Sequence, residues 1–115
     1  MPTNYLLIEA LRSFSRYYQD ALKVECPTGS GKAARLDEVA RQVGLRLCSI
    51  FLKDKEGRRP VHGREKRYAA DPHFKDLVLF NEYFHGDTCR GIGASHQTGW
   101  TALIANLIME TGGHR

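Results

Sequence analysis

The sequence contains no long apolar run. Its longest apolar stretches, such as Tyr5 to Ile8, fall far short of the roughly 20 apolar residues that a membrane-spanning helix needs. The beginning of the chain also lacks a basic region followed by an apolar segment and a cleavage site, the features of an export signal. We therefore expect no membrane partner and a cytoplasmic location.

Cysteine is scarce and unpaired. The chain has three cysteines, Cys26, Cys48 and Cys89, and no CxxC pair. A chain of 115 residues can hold a modest core without disulfide bonds. We expect one domain spanning residues 1–115 with three reduced, structurally incidental thiols. Its size excludes a deep, fully enclosed cleft built by this chain alone.

Positive charge is not concentrated, although the net charge is +4. Basic residues near the middle of the chain alternate with Asp37 and Glu38, and the densest basic run, Lys53 to Arg59, contains Asp54 and Glu56. Nucleic-acid-binding proteins concentrate their basic residues on one face or stripe. We therefore expect no nucleic-acid partner.

Two long amphipathic helices are predicted in the first half. Between Tyr5 and Leu22 apolar residues recur at spacings of three and four, and further apolar residues widen the stripe. Such a helix needs neighbours on more than one side, and Pro2 to Asn4 suit its start. Leu36 to Phe51 has the same spacing and predicts a second helix, which the charged Lys53 to Arg59 segment ends.

The second half predicts shorter helices joined by loops. Pro60 to Pro72 has no sustained period and is predicted to be irregular. Asp71-Pro72 suits the start of a short helix ending near Leu79 to Glu82. A last helix is predicted over Trp100 to Ile108, with Thr98 as its cap and Gly112-Gly113 beyond its end. No strand pattern is found, so the expected fold is all-α.

The hexapeptide PTGSGK, Pro27 to Lys32, invites a nucleotide-binding interpretation. A P-loop, GxxxxGK[ST], would need glycine where Cys26 stands and serine or threonine where Ala33 stands. It would also need a preceding buried strand and a parallel sheet. We interpret the segment as a Gly-Ser turn between two helices and expect no nucleotide cofactor, since only Lys32 would remain to contact a phosphate.

Metal binding is a second alternative. His85, Asp87, Cys89 and His96 are ligand types that suit zinc, but they lack the paired CxxC or HxxxH spacing of zinc sites. We expect no metal, with these residues acting as hydrogen-bonding groups.

The segment from Glu82 to Trp100 carries the most chemistry. It combines carboxylates, aromatic side chains, polar groups and four glycines, Gly86, Gly91, Gly93 and Gly99. Aromatic faces stack on sugar C–H groups and polar side chains pair with hydroxyls, so this composition is typical of a carbohydrate site. Core packing for the aromatic residues and a solvated position for Glu82 are the alternative.

The stretch LFNEYFHGDTCRGIGASHQTGWTALIA, Leu79 to Ala105, resembles the C-terminal end of the catalytic domain of glycoside hydrolase family 63, the processing α-glucosidase I family. Its bacterial glucosidase and mannosylglycerate-hydrolase-like members are the most similar. The family's E-Q-Y, R-G-x-G and T-G-W-T segments match Glu82-Tyr83, Arg90 to Gly93 and Thr98 to Thr101 at the same separations. The P-x-N-Y segment and the bacterial V-E-C-P-T-G-S-G loop match Pro2 to Tyr5 and Val24 to Gly31.

The resemblance implies the C-terminal portion of an (α/α)₆ toroid, a ring of helical hairpins with a glycine-rich active-site loop. It implies an inverting hydrolase of α-linked glucosides or of mannosyl- or glucosylglycerate-type substrates, without a cofactor. Inversion needs a general acid and a general base about 6.5–9.5 Å apart. Glu82 matches the base, and Tyr83, Arg90, His96 and Trp100 would bind the sugar.

The chain also departs from this family. The family's general acid is an aspartate upstream of the matched part, most toroid helices are missing, and Cys89 stands where relatives usually have glycine. A W-R-G-P-x-W stretch would lie just before Met1. We therefore expect a fragment that is inactive alone, with a carbohydrate substrate, the missing N-terminal part of the domain and further copies of itself as partners. A small autonomous helical binding module derived from the same scaffold is the alternative.

Overall fold

The computed structural model describes residues 1–96 and 99–112. They form two compact units, residues 2–45 and residues 46–112 with Met1, and the boundary falls inside the second long helix. Helices are the main regular structure of both units. The Thr98 cap and Gly113 of the sequence analysis lie outside the described residues.

The first unit begins with helix α1, Pro2–Tyr18, as predicted. A short 3-10 turn, Gln19–Ala21, follows it. Ile8 and Ser15, seven residues apart and therefore on one side of the helix, are buried. Leu7 and Phe14, on another side, are exposed. The helix thus has apolar residues on two sides, as the widened stripe predicted.

A small β-hairpin follows α1. Strands β1, Lys23–Glu25, and β2, Ala33–Arg35, pair antiparallel with Val24 opposite Ala34. The prediction of a fold without strands is therefore wrong. Both strands have three residues and lie largely exposed, so they carry no alternation of buried and exposed side chains that the sequence could reveal.

Helix α2, Leu36–Phe51, confirms the second predicted helix. At its start the Glu38 carboxylate accepts the backbone N–H of Arg35 at 2.7 Å, which closes the first turn as in a capping box. Beyond its end Asp54 Oδ1 accepts the N–H groups of Glu56 and Arg58. This turn, with Gly57 at a φ of +75°, ends the helix where the charged segment predicted.

The second unit contains two short helical pieces before its hairpin. A 3-10 turn, Pro60–His62, precedes helix α3, Arg67–Ala70. The helix predicted after Asp71 is wrong. Residues 72–76 form turns only. Asp71 caps a single turn, with its Oδ1 accepting the His73 N–H and its carbonyl accepting the N–H groups of Phe74 and Lys75, and the turn does not continue into a helix. Phe80 instead packs on Phe51, with ring centroids 6.2 Å apart.

The unit ends with a second hairpin and a helix. Strands β3, Tyr83–Phe84, and β4, Gly91–Ile92, pair antiparallel. A 3-10 turn, Thr101–Leu103, leads into helix α4, Ile104–Thr111. The predicted last helix is therefore confirmed, but its first turn is 3-10.

The core of the second unit is apolar with one polar contact. Phe51, Val61, Ile104 and Leu107 are buried. The Cys48 thiol lies 3.4 Å from the Thr111 hydroxyl, which donates to the Leu107 carbonyl. All three cysteines are free. In residues 1–96 and 99–112 no helix is long and apolar enough to cross a bilayer.

Leu107 and Met109 offer a matched test of this core, because both lie on α4 but are 0% and 83% exposed. We expect Leu107→Ala to lower the free energy of unfolding by about 2–5 kcal/mol through lost burial and the cavity left behind. Met109→Ala should change it by less than about 0.5 kcal/mol. Chemical denaturation followed by circular dichroism measures both, and equal losses would contradict the assignment of Leu107 to the core.

Candidate functional site

The β3–β4 hairpin positions the predicted general base. Tyr83 lies opposite Ile92 and Phe84 opposite Gly91, and the His85 N–H donates to the Arg90 carbonyl. Phe84 packs edge-on against Phe51 at 5.5 Å, which anchors the hairpin to the core. Glu82 therefore lies at the open end of the hairpin, one residue before β3.

Gly93 allows the backbone after β4 to pass close to the Glu82 side chain. Its φ is +76°, and a Cβ at this position would lie 2.5 Å from Glu82 Oε2 and 2.7 Å from Tyr83 Cε1. The Glu82 N–H donates to the Ala94 carbonyl, which shifts the pairing by one residue, as at a β-bulge. Only glycine satisfies both the backbone angle and this close approach.

The Glu82 carboxylate is held by one oxygen. The Ala94 N–H donates to Oε2 at 3.2 Å, whereas no hydrogen bond from the described residues reaches Oε1. Glu82 is exposed, and the neighbouring Tyr83 is 54% exposed. An oriented carboxylate with one open oxygen beside an accessible aromatic ring can accept a proton from water near a sugar.

Three other predicted site residues lie elsewhere. The Arg90 side chain lies over Gly63, with Cδ 2.6 Å from the place where a Cβ of residue 63 would stand. His96 has a φ of +61° and is exposed, and Trp100 is 52% exposed before α4. Within the described residues none of the three forms a hydrogen bond or ion pair with Glu82, whereas Tyr83 adjoins it in the chain.

The turn of the hairpin is built on His85. Its Nδ1 accepts the N–H groups of Asp87 and Thr88 at 3.3 and 3.4 Å. Cys89 closes the turn by donating its N–H to the His85 carbonyl, and its φ is +60°. A side chain at this angle is strained. A glycine at position 89 would avoid this strain.

Two open cavities, the second of them beside this turn, were missed by the sequence analysis. The first, of about 390 Å³, is lined by residues between 58 and 69. The second, of about 570 Å³, is lined by residues 62–65 together with His85, Thr88 and Arg90. Both include His62 to Glu65. The five basic residues between positions 58 and 67, with Glu65 as the single acid, were the available signal.

His62 lies between the two cavities and is stacked on Tyr68, with ring centroids 4.3 Å apart. Burial lowers the pKa of His62 below its ordinary value of 6.5, and the nearby Arg59 lowers it further. His62 is therefore neutral near pH 7, and its protonation at lower pH opposes folding. Among the described residues no group of three or more His, Cys, Asp or Glu could hold a metal ion.

The CPTGSGK loop joins β1 and β2 and is filled by its own carboxylate. Glu25 Oε1 accepts the Gly31 N–H. Hydrogen bonds from the backbone of Gly29 and Gly31 lower the pKa of Glu25, so the carboxylate remains charged to lower pH than usual. The N–H groups that a P-loop would offer to a phosphate are thus engaged, which agrees with the interpretation as a turn.

No family model and no solved structure matches the chain. Over 113 residues it is 50% identical to the Uncharacterized protein YMR196W of Saccharomyces cerevisiae. The alignment covers 96% of this chain and 10% of the yeast protein. The chain therefore spans about a tenth of the length of this relative.

Glycine in place of Cys89 should relieve the strain of its positive φ. Cys89→Gly removes the Cβ that opposes a φ of +60°, and relief of this strain should stabilise the folded state by roughly 1–2 kcal/mol. Glycine also makes the unfolded chain more flexible, which should cost roughly 0.4–1 kcal/mol. We expect a net gain of about 0.5–1 kcal/mol in the free energy of unfolding, measured by thermal denaturation. Cys89→Ala is the control, because it removes the sulfur and keeps the strain. Equal stabilisation by both variants would show that the thiol, not the backbone, is responsible.

Proposed function

We propose that this chain is part of the catalytic domain of an inverting glycoside hydrolase of the family 63 type, and that Glu82 is its general base. The observation that carries the proposal is the Glu82 carboxylate, which is held through Oε2 by the Ala94 N–H and open at Oε1. It lies within the segment whose E-Y, R-G-I-G and T-G-W-T spacings resemble the family.

In this mechanism Glu82 accepts a proton from the water that attacks the anomeric carbon. An upstream aspartic acid protonates the leaving oxygen on the opposite face of the sugar. Fixing one oxygen to a backbone N–H restricts rotation of the carboxylate, so the other oxygen can be aimed at the water. Tyr83 offers an aromatic face for stacking on the sugar ring.

Two of the remaining residues have supporting roles in this proposal. Trp100 is accessible for stacking and His96 would pair with hydroxyl groups, whereas the Arg90 side chain lies over Gly63 and takes no part in this site. The mainly helical fold is what a portion of an (α/α)₆ toroid would show. The yeast relative is about ten times longer than the aligned segment, which leaves room in such a protein for the acid and the remaining helices.

The test is an activity assay on the longest natural chain whose reading frame contains residues 1–115, obtained by reading the DNA upstream of the Met1 codon. We expect hydrolysis of an α-glucoside or of mannosylglycerate with inversion at the anomeric carbon, observed by NMR. Glu82→Gln should lower kcat by about 10²–10⁴. Asp87→Asn removes another exposed carboxylate of the same hairpin and should leave kcat within about twofold.

Two outcomes would contradict the proposal. Full activity of Glu82→Gln in an active longer protein would exclude Glu82 as the base. Turnover by the isolated 115-residue chain, abolished by Glu82→Gln, would show that the site is complete without an upstream acid.

The autonomous helical module is the competing function, and the apolar side of α1 distinguishes the two. Leu6, Leu7, Phe14, Tyr17 and Tyr18 are all exposed on this helix. A portion of a larger helical domain would cover such a surface with neighbouring helices, whereas an isolated chain would leave it open to dye and to other copies.

We expect the isolated chain to bind a hydrophobic dye and to self-associate, measured by fluorescence and by light scattering. Leu7→Gln combined with Phe14→Gln should reduce both signals several-fold, because the two lie on one side of α1. Ala10→Gln combined with Ser13→Gln changes two exposed, small residues of the same helix and should reduce neither. A monodisperse chain without dye binding and with a cooperative unfolding transition would favour the autonomous module.

A further inference from the structure

The two cavities of the second unit share one wall. His62, Gly63, Arg64 and Glu65 line both, so the cavities adjoin along the segment that follows the 3-10 turn. Their volumes, about 390 and 570 Å³, are in the range of small-molecule sites.

Uncompensated positive charge lines this space. Within the described residues the side chains of Arg64, Lys66 and Arg90 form no ion pair and no side-chain hydrogen bond. The Glu65 carboxylate of the lining already pairs with Arg67 at 3.1 Å. Three cations thus face the cavities with neither a protein anion nor a hydrogen-bond acceptor. Arg59 also lines the first cavity without an ion pair in this part of the chain, but its guanidinium donates to the Phe51 carbonyl.

Arg58 differs from these three cations. It also lines the first cavity, but its guanidinium contacts the carboxylates of Asp54 and Glu56. Its charge is therefore largely compensated. We assign ligand binding to Arg64, Lys66 and Arg90 alone.

Neutral donors accompany the cations. His85 Nδ1 accepts two backbone N–H groups, so a neutral His85 carries its proton on Nε2. Thr88 adds a hydroxyl to the second cavity. The lining therefore offers hydrogen-bond donors, and its one carboxylate is already engaged.

Glycine at residue 63 leaves room for the Arg90 side chain to line the second cavity. Its φ is +58°, and a Cβ would lie 2.6 and 2.7 Å from Cδ and Cγ of Arg90. A side chain at residue 63 would displace the Arg90 stem. The position of the Arg90 guanidinium therefore depends on glycine at residue 63.

We propose that these adjoining cavities bind the phosphate group of a small phosphorylated ligand such as a sugar phosphate. A phosphate monoester carries about −1.5 to −2 charges at pH 7 and three acceptor oxygens, which suits three unpaired cations better than a single carboxylate does. Guanidinium groups bind phosphate oxygens in pairs, which adds geometric selectivity. This site is distinct from the Glu82 carboxylate and does not depend on the proposed hydrolysis.

Isothermal titration calorimetry on the intact chain tests the proposal. The probes are glucose 6-phosphate, inorganic phosphate, glucose and glycerate. We expect glucose 6-phosphate and inorganic phosphate to bind, glycerate to bind at least tenfold more weakly, and glucose not to bind. Affinity should fall as salt concentration rises, since the pairing is electrostatic.

Three variants at the cavities and one control outside them locate the site. Arg90→Gln and Arg64→Gln should each weaken phosphate binding about tenfold or more, because each removes a charge-assisted hydrogen bond. Lys55→Gln removes the same charge from an exposed turn outside the cavities and should leave binding within about twofold. Gly63→Ala should weaken binding as Arg90→Gln does, since it displaces the same guanidinium.

Each contrary outcome overturns the proposal. Equal losses from Lys55→Gln and Arg64→Gln would indicate attraction by net charge alone. Glycerate binding as tightly as phosphate would exclude phosphate selectivity. Tight binding of single-stranded DNA with no binding of glucose 6-phosphate would identify a nucleic-acid surface instead. Arg64 is exposed, so Arg64→Gln should fold normally and decides the matter even where Gly63→Ala does not fold.

Discussion

The packing of Phe51 is the interaction on which the second unit depends. Phe51 is the last residue of α2 and is almost fully buried, with the rings of Phe80 and Phe84 against it. Phe84 belongs to β3, so this contact fixes the hairpin that carries Glu82. The Phe51 carbonyl also accepts a hydrogen bond from the Arg59 guanidinium, which ties the cavity-lining segment to the same residue. The candidate base and the cationic cavities are therefore positioned by a single aromatic anchor.

Close approach of polar side chains to the backbone is the second constraint. A Cβ at Gly91 would overlap the Asn81 side chain, one at Gly93 would overlap Glu82, and one at Gly63 would overlap Arg90. In each case a glycine leaves room for a functional or neighbouring polar group that a larger residue would displace. Two of the four glycines between residues 86 and 99, Gly91 and Gly93, therefore have a physical cause. The same cause applies at Gly63, which lies outside the glycine-rich segment.

The sequence predicted the long helices because their apolar spacing is strong and continuous. The boundaries of α2 agree with the predicted Leu36 to Phe51. The hairpins were missed because two- and three-residue strands have no room for an alternating pattern, and their pairing depends on partners 7 to 12 positions away. The helix expected after Asp71 failed for a related reason. Val78, Leu79 and Phe80 are consecutive half-buried residues, which suits an extended segment and not one helical face.

The candidate site was predictable in part. A carboxylate beside an aromatic residue in a glycine-rich segment pointed to Glu82 and Tyr83, and both lie together at the open end of the hairpin. Arg90, His96 and Trp100 do not join them within the described residues, because spacing along the chain does not reveal which side of a hairpin a side chain takes. The cationic cavities were not predicted because their excess positive charge depends on ion pairing in space, which is not visible along the sequence. Asp54, Glu56 and Glu65 balance the segment in sequence, but in space each is paired with Arg58 or Arg67. Among the described residues Arg64, Lys66 and Arg90 are left without a protein anion.

The hairpin separates two kinds of charge. At its closed end the His85 N–H donates to the Arg90 carbonyl. Glu82 lies at its open end, three residues from His85. At about 3.3 Å per residue the two ends are roughly 10 Å apart along the strand, close to one Debye length at physiological salt. Solvent therefore screens most of the attraction between Arg90 and Glu82. Among the described residues no ion pair joins Arg90 to Glu82, so one oxygen of the carboxylate and the donors of the guanidinium remain unoccupied.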